Sequence, residues 1–288
     1  MLPRYTFETL TAANLAAAEG SVVDAYARLR TLPLADFCSL HVEVPGAYPA
    51  LRSVLPVQPP EKVQKRWTGD SGSSLMRRSC ATMRLMEVMK YRVTGRGTRD
   101  CRILDYGCGW GRLLRLANYF SPVDRVYGVD VMEASLKECD KGRVPNRTAL
   151  VAAAPAVLPF DGEEFDLVFA FSVFTHIPAE VAKAVLQAVR ARVAPESAFI
   201  ITIRSHEFWS MREGRWPRAM VEGLRREHEQ RGYAFQTFEG SDVNDSYGDT
   251  TMSFDFLDEL AAECGWRMAA VDRDLLEPLQ IGVALVPR

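Results

Sequence analysis

The chain of 288 residues lacks the patterns that mark several kinds of protein. Its six cysteines are scattered without a C-x-x-C pair, and none of its four histidines stands in an H-x-x-x-H arrangement. Disulfide frameworks and zinc sites depend on such spacings, so we expect reduced thiols in a cytoplasmic protein and no bound metal. No apolar run approaches the length that crosses a bilayer, and no basic segment precedes an apolar core at the N-terminus. We therefore expect neither membrane insertion nor secretion.

An excess of charge of one sign is also lacking. The formal net charge at pH 7 is -2, whereas a surface that binds nucleic acid is usually basic. We therefore expect no nucleic-acid partner. The remaining composition is ordinary for a globular protein, with 48% hydrophobic and 25% charged residues. The length allows one large domain, or a domain with a substantial appendage.

The first third of the chain predicts helices around an irregular segment. Apolar residues recur at helical spacing over Thr9–Arg30 and again over Leu75–Val93. Between these helices, the prolines from Pro33 to Pro60 predict an irregular region, and Arg66–Ser74 predicts a polar, glycine-containing loop. Residues 1–99 are therefore expected to form an N-terminal helical appendage.

After Gly97 the pattern alternates between strand and helix. The strands are nearly continuous apolar runs, as a parallel sheet covered on both faces requires. Such alternation predicts right-handed βαβ units in a doubly wound α/β sheet. The predicted strands are Ile103–Tyr106, Arg125–Val129, Ala149–Ala152, Phe165–Phe171 and Ala198–Ile203, and the predicted helices are Arg112–Phe120, Ala134–Lys141 and Pro178–Ala194.

The C-terminal part follows a different pattern. A helix is expected from the cap residue Ser253 to Cys264, with Gly265 as its stop. Two strands follow, Arg267–Val271 and Ile281–Val286, and the loop between them is too short for a parallel crossover. The whole pattern predicts a mainly parallel seven-stranded sheet that ends in an antiparallel C-terminal hairpin.

A glycine-rich loop joins the first strand to the next helix. Asp105–Gly111 reads D-Y-G-C-G-W-G, and a strand that leads through such a loop to a helix N-terminus is typical of nucleotide-type cofactor sites. The spacing G-x-G-x-G differs from the dinucleotide pattern G-x-G-x-x-G, which disfavours an NAD-dependent oxidoreductase. The alternative is a tight turn that binds no ligand.

This loop resembles the first motif of class I S-adenosylmethionine (SAM) dependent methyltransferases. Leu158–Val168, which reads L-P-F-D-G-E-E-F-D-L-V, resembles a second run of that family, and the resemblance extends over roughly Asp100–Arg288. It implies that SAM is the cofactor and that the protein is a methyltransferase. The cofactor-binding residues that it implies in the loop are Asp105, Gly107, Cys108, Gly109 and Gly111.

Asp130 ends the second predicted strand, where an acidic side chain can accept hydrogen bonds from both ribose hydroxyls of a nucleoside. The alternative is an N-cap for the helix that starts near Glu133. By resemblance to the family, Val131 or the next residue lies against the adenine ring. The family often has an acidic residue near the third strand, but this chain has Ala153 and Ala154 there. We therefore expect backbone groups and apolar contact to hold the adenine.

Residues after the fourth strand are expected to face the acceptor, because open α/β sheets bind ligands beyond the carboxyl ends of their strands. Ser172 and Thr175 are predicted to face the methionine end of SAM and the acceptor. His176 is interpreted either as a general base or as a residue that orients the Pro178 helix. The Asn/Asp-Pro-Pro-aromatic motif of many nucleobase methyltransferases is absent, which argues against a DNA or RNA base as acceptor.

Two segments are predicted to cover the site. The Arg66–Ser74 loop, with Trp67, is either a lid over the cofactor or a surface linker. The long insertion 204–251 departs from the fifth strand and is expected to act as an acceptor cap, since long loops in compact domains are usually functional. Its leading candidates for contacting the reacting atom are His206 and Tyr247, although either side chain can also serve packing or capping.

We therefore expect an appendage over residues 1–99 and a SAM-binding domain over residues 100–288. The expected activity is methyl transfer to O or N of a small-molecule acceptor such as a natural product, metabolite or glycan. The alternative is a non-catalytic methyltransferase-like module that binds SAM or a partner protein. Binding of SAM, followed by methyl transfer to candidate acceptors, discriminates between the two.

Overall fold

The computed structural model describes residues 4–238, 246–273 and 279–288. Its helices are α1 Arg4–Ala18, α2 Val22–Leu29, α3 Leu34–Leu40, α4 Pro49–Val54, α5 Glu61–Thr68, α6 Gly72–Thr94, α7 Leu114–Ala117, α8 Glu133–Lys141, α9 Ala179–Arg190, α10 Glu207–Ser210, α11 Arg218–Arg231 and α12 Phe254–Glu263. Its strands are β1 Ile103–Tyr106, β2 Val126–Asp130, β3 Arg147–Leu150, β4 Phe165–Ala170, β5 Val193–Ile203, β6 Tyr233–Thr237, β7 Gly248–Met252, β8 Trp266–Asp272 and β9 Ile281–Pro287.

Seven of these strands form one sheet in the order β3-β2-β1-β4-β5-β9-β8. β1 pairs in parallel with β2, and β4 pairs in parallel with β5. β9 runs antiparallel to both β5 and β8. The predicted mainly parallel, seven-stranded sheet with an antiparallel C-terminal hairpin is therefore confirmed.

The chain divides into two compact units. The first contains residues 1–85 and 98–149, and therefore combines the N-terminal helices with β1 and β2. The second contains residues 86–97 and 150–288, which include β4, β5 and the C-terminal hairpin. Among the described residues, no helix is long and apolar enough to cross a membrane.

The N-terminal helices differ from the prediction. The single helix expected over Thr9–Arg30 is wrong, because Gly20 adopts a left-handed backbone with φ of +84° and separates α1 from α2. The Ser21 side chain then caps α2 by accepting a hydrogen bond from the Asp24 N–H. The irregular region expected between the prolines is also wrong, since it contains α3 and α4. Prolines of this segment stand at the starts of helices, where the fixed φ of proline is compatible with the helical backbone.

The polar loop expected over Arg66–Ser74 is mostly helical, so that prediction is wrong. α5 extends to Thr68, where Gly69 ends it with φ of +74°, and α6 already begins at Gly72. Only three residues remain between the two helices. The glycines therefore mark a tight helix-to-helix turn, and Trp67 lies in the last turn of α5.

The helix after the glycine loop is shorter than the predicted Arg112–Phe120. Only α7 is helical, because the amides of Tyr119 and Phe120 bond to carbonyls three residues back and so close tight turns instead. All four residues of α7 are buried.

The insertion after β5 has regular structure in its described parts, residues 204–238 and 246–251, and residues 239–245 lie outside the described ranges. Its predicted charged helix is confirmed as α11, but the sequence did not indicate the separate antiparallel pair of β6 and β7. A hydrophobic cluster supports these elements, formed by Phe208, Trp209, Val221, Leu224 and Ala234. The insertion therefore carries a small core of its own.

Candidate functional site

The glycine loop closes over the end of β2. Gly107, Gly109 and Gly111 all have left-handed backbones, with φ of +78°, +56° and +80°. The N–H groups of Gly107 and Cys108 both donate to the Val129 carbonyl, at 2.8 and 2.9 Å. A Cβ at Gly111 would lie 2.9 Å from the Val144 side chain, so both the backbone and the available space favour glycine there.

Asp130 uses both carboxylate oxygens on backbone groups around the loop. Oδ2 accepts from the Gly109 N–H and Oδ1 from the Met132 N–H, each at 2.8 Å. The side chain is only 7% exposed, and burial raises the pKa of Asp130 while these N–H donors oppose the rise. The N-cap of α8 is Met132, so the alternative that Asp130 caps this helix is wrong; Asp130 instead accepts from the N–H of the cap residue. Contact of Asp130 with a ribose, and of the following half-buried Val131 with adenine, stay predictions.

Asp105 stands at the base of the loop with one oxygen free of hydrogen bonds. It is 2% exposed, and its Oδ2 has no hydrogen-bond partner. Burial raises the pKa of Asp105 well above its ordinary value, and the positive charge of Arg112 opposes that rise. A buried acceptor of this kind is suited to a ligand that carries N–H or O–H donors.

Cys108 packs beneath the loop as a thiol. A hydrogen bond with the Cys139 thiol and burial both raise the pKa of Cys108 well above its ordinary value. The Cys139 thiol also donates to the Gly109 carbonyl at 3.3 Å. Since the thiolate is the reactive form, this shift disfavours reactivity at Cys108. Its contact with a cofactor stays a prediction.

Trp67 lies beside the middle glycine of the loop. A Cβ built on Gly109 would be 3.5 Å from the Trp67 ring, which is an ordinary van der Waals contact. Trp67 therefore does come next to the loop, as its predicted cofactor role requires, although from a helix and not from a flexible segment. Its contact with a cofactor stays a prediction.

In the second unit, Ser172 follows β4 in a left-handed conformation with φ of +61°. Its N–H donates to Thr202 Oγ1 at 2.7 Å, and its hydroxyl lies 3.2 Å from Thr175 Oγ1 and accepts from Gln280 Nε2 at 3.0 Å. Such strain at a non-glycine residue is common at functional sites. Ala154 is exposed in the turn region before β4.

His176 is held by partners on both ring nitrogens. Nδ1 lies 2.6 Å from the Gly248 carbonyl and therefore donates to it, and Nε2 accepts from Arg204 Nη2 at 3.2 Å. Burial, together with the positive charge of Arg204, lowers the pKa of His176 to about 4. Neither ring nitrogen bonds to the start of α9. His176 instead joins the segment after β4 to β7.

A buried carboxylate with two arginines lies beside His176, and sequence reasoning missed it. Asp249 is fully buried; its Oδ1 accepts from Arg204 Nη1 at 2.8 Å, and its Oδ2 accepts from Arg212 Nη2. Both guanidinium groups also lie over the Phe208 ring, at 4.2 and 4.8 Å. Since Asp249 lies 45 positions from Arg204, no local pattern links the two.

The two remaining predicted catalytic residues lie in different surroundings. Tyr247 stacks on the His176 ring, with centroids 5.2 Å apart. His206 has 54% of its side chain exposed, and its ring lies near His228 and the Glu207 carboxylate. The geometry therefore joins Tyr247 to the buried network, whereas His206 is a surface residue. Within the described ranges, no group of three His, Cys, Asp or Glu side chains could hold a metal ion.

The central segment is similar to a known protein family. Residues 103–196, from β1 into β5, match a family model described as a methyltransferase domain. Residues 103–196 are therefore similar to a methyltransferase domain. The glycine loop, Asp130 and the end of β4 all fall within the matched residues. A comparison with curated protein sequences finds no match.

Solved structures of methyltransferases are similar to this chain. Magnesium protoporphyrin IX methyltransferase (ChlM) from Synechocystis PCC 6803, with bound SAH, is 15% identical with a TM-score of 0.50; the match covers 79% of this chain and 94% of that one. A SAM-dependent methyltransferase from Clostridium acetobutylicum ATCC 824 is 16% identical with a TM-score of 0.49, over 78% and 96%. At such identities, the first likeness shows the fold alone.

Proposed function

We propose that the chain is a SAM-dependent methyltransferase that transfers the methyl group to O or N of a small-molecule or glycan acceptor. The observation that carries the proposal is the glycine loop after β1, with Asp130 at the end of β2 bonded to its Gly109 N–H. A loop of this kind admits a ligand close to its backbone, and the acidic side chain is suited to ribose hydroxyls.

The residues around the loop fit this cofactor. The Asp130 carboxylate is expected to accept hydrogen bonds from the ribose hydroxyls, either beside its present bonds to backbone N–H groups or in place of them. The unpartnered Oδ2 of Asp105 is expected to accept a hydrogen bond from the ligand. Trp67 is to cover the apolar side of the ligand beside Gly109. SAM supplies a methyl group already activated on a sulfonium, so these residues mainly bind and orient.

The insertion 204–251 is proposed as the acceptor cap. Support comes from the Arg204–Asp249–Arg212 network, which fastens the insertion to the segment after β4 through the Thr175 carbonyl and His176. The half-buried Trp216 and Arg212 lie against each other, so an aromatic and cationic surface lies next to this network. Such a surface is suited to the body of an organic acceptor with an anionic group.

His176 is proposed to orient the site and not to remove a proton. Its Nε2 already accepts from Arg204, and its low pKa makes it a weak base. Tyr247, stacked on its ring, is the remaining candidate for contact with the acceptor in this network. A general base is needed only where the acceptor must lose a proton.

Two measurements test the proposal. Calorimetric titration with S-adenosylhomocysteine (SAH) is expected to show one site, and labelled SAM is expected to transfer its methyl group to at least one member of a panel of phenolic, amine and sugar acceptors. Binding without transfer to any acceptor would favour the non-catalytic alternative. Absence of SAH binding by the folded protein would make the cofactor assignment wrong.

A further inference from the structure

Arg115 lies behind the glycine loop and is completely buried. It belongs to the single turn α7. Its Nε donates to the Gly111 carbonyl at 2.9 Å, and its Nη2 donates to the Trp110 carbonyl at 3.3 Å. The guanidinium carbon also lies 4.9 Å from the centre of the Trp110 ring. One side chain therefore holds two consecutive peptide carbonyls of the loop.

The third nitrogen of Arg115 reaches the N-terminal helices of the same compact unit. Nη1 donates to the Val57 carbonyl at 3.2 Å, in the connection between α4 and α5. The Val57 N–H in turn donates to the Gly142 carbonyl at 2.8 Å, directly after α8. The connection at Val57 is thus bonded to the residues that follow the loop and to the end of α8.

The charge of Arg115 is unusual for so buried a group. Burial lowers its pKa to about 10, so it remains a cation at neutral pH. Among the described residues no carboxylate pairs with it, and its partners are carbonyl oxygens and an aromatic ring. Burying a charge without a counter-ion is unfavourable. The bonds of Arg115 to three carbonyls must therefore offset the cost of burying its charge.

We propose that Arg115 is a positioning residue that holds the glycine loop in its cofactor-binding conformation, and that Val57 makes the N-terminal helices part of this support. The inference rests on the proposed function. Glycine loses more conformational freedom on ordering than other residues, and Gly107, Gly109 and Gly111 all have left-handed backbones. A loop that is already fixed spares the ligand this ordering cost, so its affinity is higher.

Arg115→Met and Arg115→Lys test the proposal, with Arg30→Met as the matched control. Arg30 is also largely buried and also donates to two consecutive carbonyls, those of Tyr119 and Phe120. It therefore ties the N-terminal helices to the residues after α7 without touching the loop. Arg115→Met is expected to weaken SAH binding about tenfold, the equivalent of one to two net hydrogen bonds. Arg115→Met and Arg30→Met should both lower the thermal midpoint, because each leaves carbonyls without their donor, whereas Arg30→Met should keep the affinity.

Amide hydrogen exchange of residues 107–111 without ligand gives a second readout. Exchange is expected to be faster in Arg115→Met than in wild type, and faster also in Arg115→Lys, which keeps the charge but loses the fork of donors. If wild type fails to bind SAH, the proposed function is wrong, while exchange still tests the support of the loop. Wild-type exchange and affinity in both Arg115 variants would overturn the proposal. An equal loss of affinity in Arg30→Met would overturn it too, because the effect would then be general loosening.

Discussion

The Asp130 carboxylate is proposed to bind both the backbone around the glycine loop and the ribose of the cofactor. In the structure it accepts from Gly109 and Met132, and in the proposed complex it also accepts from a ribose. A carboxylate has room for about four hydrogen bonds, so the two tasks are compatible. Its location at the end of β2 follows from the sequence, but its bond to the glycine loop does not, because 21 positions separate the two residues.

Asp130→Ala is expected to weaken SAH binding by about 1.5–3 kcal/mol, the range for hydrogen bonds to a charged group. Calorimetry of the folded variant measures the loss. Asp124→Ala, at an exposed aspartate before β2, is the control and should bind like wild type. Equal affinity in Asp130→Ala and wild type would remove Asp130 from the cofactor site.

Two buried histidines predict a loss of stability in mild acid. Burial, with the nearby arginines, lowers the pKa of His176 to about 4 and that of His41 to about 3. Since an unfolded histidine titrates near about 6.5, the unfolded chain binds more protons below that pH. This stability is fully present above about pH 6.5 and falls as the pH drops towards about 4, by up to about 1.4 kcal/mol per pH unit for each histidine.

Urea unfolding between about pH 7 and pH 5 measures this slope. His176→Asn keeps an amide donor for the Gly248 carbonyl and is expected to flatten the slope. If His176→Asn unfolds with the same pH dependence as wild type, the neutral, buried state assigned to this ring is incorrect.

The sequence predicts both His206 and Tyr247 to contact the reacting atom, and the structure places the two side chains in different surroundings. Tyr247→Phe removes the hydroxyl proposed to contact the acceptor but keeps the ring that stacks on His176. Turnover is therefore expected to fall while SAH affinity stays within a few-fold of wild type. His206→Ala is expected to lower turnover only if the acceptor extends over the exposed surface of α10. Initial rates with a working acceptor measure both. Full turnover in both variants would move the catalytic contacts elsewhere, beginning with Thr175.

At the scale of elements, periodic apolar patterns predicted the strands of the main sheet, whereas the breaks between helices were not predicted. Apolar runs predicted the strands of the main sheet, and the short C-terminal connection required the antiparallel pair. The helix break at Gly20 was not predicted because apolar residues continue at helical spacing past it. The helices on both sides of Gly69 were not predicted because the polar residues there resemble a loop. β6 and β7 were not predicted because their pairing joins residues more than ten positions apart.

Two glycines of the insertion give opposite expectations for the same substitution. A Cβ at Gly248 would meet the Gln236 carbonyl across the β6–β7 pair, whereas one at Gly223 in α11 meets nothing within 4 Å. Gly248→Ala is therefore expected to destabilise the protein and to speed amide exchange in β6 and β7. Gly223→Ala is expected to add about 0.5–1 kcal/mol of stability, since alanine favours helix. Thermal unfolding compares them, and a neutral Gly248→Ala would contradict the described pairing.

At the scale of the molecule, the site divides into a part that sequence predicts and a part that it does not. The glycine loop and Asp130 follow from short motifs on consecutive elements of one fold. Arg115 does not, because arginines on helices usually face solvent, and the Asp249–Arg212 pair does not, because 37 positions separate the two residues. Where long-range contacts between charged groups form the site, a single sequence carries no pattern for them.

The measurement that tests the cofactor site most directly is a crystal structure of the protein with SAH. We expect the ribose hydroxyls to lie on the Asp130 carboxylate, and the ligand to pass Gly109 within van der Waals contact of its backbone. The loop should keep its conformation, with Arg115 still bonded to the Trp110 and Gly111 carbonyls. SAH bound away from Gly109 and Asp130, or no bound SAH at saturating concentration, would contradict the assignment.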